Sequence, residues 1–79
     1  MDMRQTPYYK IYADVYGLLS RNLPVRCDDD AYWDAAIKDA DTLYRAYNQN
    51  DAPGNAYARK LILETMDELE RISKRGGRT

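Results

Sequence analysis

The chain has 79 residues, 44% apolar and 32% charged, with a net charge of −1, which is enough for one small core and carries no bulk attraction for nucleic acid or anionic membrane. No apolar run exceeds three residues (Leu61, Ile62 and Leu63, for one). A membrane span needs about 20, and Met1 to Tyr9 lacks the apolar stretch of a secretory signal, so a cytoplasmic location is expected. A single cysteine, Cys27, and the absence of histidine exclude an internal disulfide, a Cys/His zinc site and a histidine-activated nucleophile.

The first helix is predicted over about 7–22. Thr6 offers a capping hydroxyl, and Pro7 suits the first helical position because its missing N–H has no partner there anyway. Tyr8, Ile11, Tyr12, Val15, Leu18 and Leu19 then recur at three- and four-residue spacing on one stripe. Gly17 weakens the helix interior but admits close approach of a neighbouring helix. Pro24 forces the chain out of helical geometry just before it.

The second helix is predicted over about 29–48. One aspartate of Asp28, Asp29 and Asp30 caps it while the others meet the positive end of the helix dipole. Trp33, Ala36, Ile37, Ala40, Leu43, Tyr44 and Tyr47 form its inward face, and Asp34–Lys38 and Asp41–Arg45 are i,i+4 pairs on its outer face. Residues 48–55, reading NQNDAPGN, are a turn.

The third helix is predicted over about 54–74, capped by Asp51 or Asn55. Ala58, Leu61, Ile62, Thr65, Met66, Leu69 and Ile72 point inward, and Asp67–Arg71 and Glu70–Lys74 pair outside. Gly76 is placed as a left-handed cap, and 76–79 as a fraying tail. Three amphipathic helices with short connections and no strand-like alternation predict one all-α domain over 1–79, a three-helix bundle with neighbouring helices antiparallel.

The residues supply little chemistry. Read as a calcium loop from Asp28, the acidic run puts Trp33 where glycine is required and Asp39 where a bidentate glutamate is required, so helix capping is the better account. A di-metal carboxylate bundle needs histidines the chain lacks. Cys27 has no base to activate it, and three adjacent aspartates favour its neutral thiol. The expectation is a protein that is not an enzyme and needs no cofactor or metal.

Eight tyrosines and no phenylalanine are the most unusual feature of the composition. Tyr8, Tyr12, Trp33, Tyr44 and Tyr47 fall on core stripes, where buried rings would send their polar tips to the rim. Tyr9, Tyr16, Tyr32 and Tyr57 fall off them. With Asp34 and Asp41 they are the expected partner-binding residues, because exposed aromatics near charges match protein interfaces.

Charge is uneven along the chain. Residues 28–51 carry seven acids against two bases, a net −5, and each flank is +2. The acidic stretch reads either as a solvated face or as a mimic of a phosphate backbone. The basic flank Arg4, Lys10, Arg21 and Arg26, with the tail from Lys74 to Arg78, supports the alternative of a nucleic-acid-associated accessory protein.

The segments YKIYADVYGLL (Tyr9 to Leu19), YWDAAIKDADTLYRAY (Tyr32 to Tyr47) and LETMDELERI (Leu63 to Ile72) resemble small helical proteins carried by bacterial phages and integrated elements. Such proteins include inhibitors of host machinery, anti-CRISPR proteins among them, that occlude a surface of a larger enzyme. The resemblance implies a larger protein partner. The short, unstapled chain separately suggests a homo-oligomer.

Overall fold

The computed structural model describes residues 2–75, and among them forms a 3-10 turn (Met3–Gln5) and three helices: α1 (Pro7–Arg21), α2 (Asp30–Ala46) and α3 (Asn55–Lys74). Of the three α-helices, only α2 has its start capped by a side chain. Pro7 opens α1 as expected, but the Thr6 hydroxyl does not cap it; it donates to the Met3 carbonyl at 2.6 Å and ties down the preceding turn. Asp29 caps α2 by accepting the Tyr32 N–H at 3.2 Å.

The start of α3 differs from expectation. Gly54 occupies the cap with φ of 88°, a left-handed conformation that costs glycine little. Asn55 is already helical, and its amide donates to the Asn50 carbonyl at 3.1 Å, bracing the turn. Gly54 is also where α1 and α3 meet: a Cβ there would lie 3.0 Å from Ile11 Cδ1. The expected cap Gly76 and the tail 76–79 lie outside the described residues.

α3 packs on both other helices, whereas α1 and α2 touch one another less. Consecutive helices run antiparallel, so α1 and α3 start at the same end of the bundle. Ile11, Leu18, Ile62 and Leu69 are the largest fully buried side chains, each stabilising by about 1.5–3 kcal/mol. Val25, from the loop between α1 and α2, closes the far end of the core against Leu69 and Ile72.

Small residues make the core narrow. Ala36, Ala40 and Ala58 are buried, and Ala40 and Ala58 pack in one cluster with Ile11, Leu18 and Ile62. Of the five aromatic residues expected inside, only Tyr47 is buried; Trp33 and Tyr44 are half-buried, and Tyr8 and Tyr12 are exposed. Ile37, also expected inside, is 55% exposed. A bundle helix buries one arc of its circumference, and Ile11, Val15 and Leu18 on α1, with the alanines on α2, already fill that arc.

Three of the four expected surface pairs do not form. Asp41 pairs with Arg45 at 2.9 Å. Arg71 turns away from Asp67 to bridge Glu64 and Glu68, the latter at 2.7 Å, because its fork engages two longer carboxylates at once. Among the described residues, Asp34–Lys38 and Glu70–Lys74 form no ion pair. Gly17 lies under Arg21 of its own helix, whose Nη1 would be 2.9 Å from an added Cβ, and not against a neighbouring helix.

Candidate functional site

Two surfaces flank α3, one shared with α2 and one with α1. The first is a groove of about 230 Å³ between α2 and α3, lined by Ala40, Asp41, Tyr44, Ile62, Leu63 and Met66. Ala40 and Ile62, both buried, form its floor, and the small alanine lets the surface sink. Leu63 stands on the α3 wall, 53% exposed, and Ile37 projects one turn from Asp41 on α2. Asp41, held by Arg45, supplies the one carboxylate among the lining residues.

The second surface is aromatic. Tyr57, at the start of α3, meets Tyr8 and Tyr12 of α1 edge-on, with ring centroids 5.7 and 6.0 Å apart. The Tyr12 and Tyr57 hydroxyls share a hydrogen bond, which together with partial burial pushes the Tyr57 phenol above its ordinary value. Tyr9 and Tyr16 stand beside this cluster on α1, and Tyr16 is 74% exposed.

The six residues expected to form one patch therefore fall in four places. Tyr9, Tyr16 and Tyr57 belong to the aromatic surface, Asp41 lines the groove, and Asp34 lies two turns before it on the outer face of α2. Tyr32 stands apart from both. Its ring meets Trp33 edge-on at 4.9 Å, and its hydroxyl donates to the Asn22 carbonyl at 2.6 Å, with burial pushing its pKa up. It braces the loop onto α2. Of the six lining residues only Asp41 was expected at a site; Ala40, Tyr44, Ile62 and Met66 read as core from spacing, and the signal was Leu63, an apolar residue left off the inward stripe of α3.

The basic flank is largely neutralised within the chain. Arg4 pairs with Asp2 at 3.3 Å and Lys10 with Asp14 at 2.8 Å. Arg21 engages Asp39 through two nitrogens at 2.9 and 3.0 Å. Both of the latter pairs sit against α2, where Asn22, buried at the end of α1, adds a 3.2 Å bond to Asp39.

Cys27 is half-buried with its carbonyl accepting the Trp33 indole N–H at 3.2 Å. Among the described residues, no cluster of three or more Cys, Asp and Glu side chains is placed to hold a metal ion, and no helix is long and apolar enough to cross a membrane. No protein-family model, curated protein or solved structure matches this chain.

Proposed function

We propose that this chain is a non-enzymatic protein-interaction module that docks its α2–α3 groove onto a larger protein and occludes a surface there. The observation that carries this reading is the groove itself. Two aliphatic side chains, Ile37 and Leu63, project into water on either side of a floor that already accepts apolar atoms. Exposing both costs solubility, and a partner that covers them recovers the burial, at about 25 cal/mol per Å².

The partner fits a stated chemistry. The α2 wall belongs to the segment with net charge −5, and Glu70 follows Met66 by one turn on the α3 wall. An apolar side chain flanked by lysine or arginine on the partner would seat in the groove and meet those carboxylates. Blocking a host enzyme in this way is the role of the phage and mobile-element inhibitors that the sequence resembles.

The test is capture from bacterial lysate on the immobilised full chain, run beside Leu63→Glu and Ile37→Glu, with circular dichroism confirming that both variants fold. One protein retained in stoichiometric amount by the native chain and lost from both variants is the expected result. Retention of nothing specific, or equal retention by the variants, would remove the proposal.

A further inference from the structure

The solvent face of α1 is unlike those of the other helices. α1 has three charged residues, Lys10, Asp14 and Arg21, and all three are drawn to the side facing α2: Lys10 and Asp14 bond one another and Tyr47, and Arg21 bonds Asp39. At 100° per residue, the stripe directly opposite the buried Ile11 and Leu18 is Tyr9, Ala13, Tyr16 and Ser20, with no charge along it. The equivalent stripes carry Asp34, Lys38 and Arg45 on α2, and Lys60, Asp67 and Lys74 on α3. A helix face that looks straight into solvent is normally charged, so an uncharged one bearing two exposed tyrosines stands out as a surface suited to contact.

We infer that this stripe is the interface of a homodimer, in which the α1 helices of two copies pack antiparallel about a two-fold axis level with Asp14 and Val15. The occupant follows from self-complementarity. A two-fold interface brings a stripe against its own reverse; that of α1 carries no charge that burial would have to desolvate, whereas those of α2 and α3 each carry three. Residue size points the same way. With the axis at that level, Tyr16 of one copy lies over Ala13 of the other and Tyr9 over Ser20, each large side chain opposite a small one. A parallel pairing would stack tyrosine on tyrosine.

The expected strength follows from the length. α1 has 15 residues and is about 22 Å long, so one helix pair covers less than the about 800 Å² per partner of a standard interface. The dimer is therefore a weak one that forms at high micromolar concentration and dissociates on dilution. It leaves the α2–α3 groove open on each copy, so the assembled form presents two grooves and gains avidity toward a repeated partner. This inference does not rest on what the groove binds.

Analytical ultracentrifugation of the full chain from about 10 µM to 1 mM tests it. The sedimentation coefficient should rise with concentration to that of a dimer. Ala13→Glu, at an exposed position, should raise the dissociation constant at least about tenfold by setting two carboxylates into the interface, while leaving the helical circular dichroism unchanged. A second measurement fixes the register. In a Cys27→Ser background, Tyr9→Cys with Ser20→Cys should yield a disulfide-linked dimer under mild oxidation, since 11 residues of helix keep the two thiols of one copy about 16 Å apart. A native chain that stays monomeric at 1 mM, a folded Ala13→Glu variant that associates unchanged, or a double-cysteine variant that stays monomeric on oxidation would each overturn the inference.

Discussion

Tyr47 fastens the end of α2 to α1: its hydroxyl donates to Asp14 Oδ2 at 2.6 Å, and Lys10 Nζ reaches both that carboxylate oxygen, at 2.8 Å, and the tyrosine oxygen, at 3.2 Å. Three groups from two helices close a hydrogen-bonded triangle beside the core. The Tyr47 carbonyl is held as well, accepting from Arg59 Nη1 at 2.8 Å, so one residue links all three helices.

Tyr47→Phe keeps the buried ring and removes the hydroxyl. The Asp14 carboxylate retains Lys10 but loses a donor, and the loss is expected to be about 1 kcal/mol. In a domain this small that lowers the melting temperature by about 4–8 °C, readable by thermal denaturation followed at 222 nm. An unchanged melting temperature would mean that the hydroxyl bond contributes nothing net.

The same triangle sets a dependence on pH. Burial pushes the Asp14 carboxyl up, but the hydrogen bonds from Lys10 and Tyr47 outweigh it and hold the group below its ordinary value of 3.8. A depressed folded value means that the unfolded chain takes up the proton first, so this contribution is complete above about pH 5 and is lost as pH falls through 4 and below. On the alkaline side, Lys10 is raised by its bonds to Asp14 and Tyr47, and Tyr47 is raised by burial and by Asp14. Both then lose their contribution as pH rises beyond about 10. Urea titrations from pH 3 to 11 should show stability falling at both ends, and Asp14→Asn should flatten the acid limb.

Glycine to alanine is expected to act with opposite sign at two positions. At Gly54 the left-handed φ and the contact with Ile11 make alanine destabilising by about 1–2 kcal/mol. At Gly17, inside α1, alanine gains up to about 1 kcal/mol of helix propensity, and the atom it displaces is the far end of the flexible Arg21 side chain. Urea midpoints of the two variants should move in opposite directions.

Leu18→Ala and Ile37→Ala separate the buried stripe from the exposed one. Leu18 is fully buried, and its truncation should cost about 2–5 kcal/mol, a large share of the stability of so small a domain. Ile37→Ala should change stability by no more than about 0.5 kcal/mol, since most of that side chain is already in water. A large loss at Ile37 would mean that it is covered in solution.

The number of helices and their ends to within two residues follow from the sequence alone, because they depend on neighbours in the chain. The 3.6-residue recurrence of Ile11, Val15 and Leu18, the proline that opens one helix, the aspartates at the start of the next and the Pro-Gly turn before the last act over a few residues each. Tertiary packing decided which members of an apolar stripe are inside. Ile37 and Ala40 look equally inward by spacing, but α2 closes on α3 over the alanine, and the width of that contact depends on side-chain volumes from a helix twenty residues further on. The bonds that cross between helices were settled in the same way: Tyr47 reaches Asp14 from 33 residues away, and Arg21 and Asn22 reach Asp39 from 18 and 17, a choice no local spacing fixes, whereas Lys10–Asp14 and Arg71–Glu68 are neighbours within one helix.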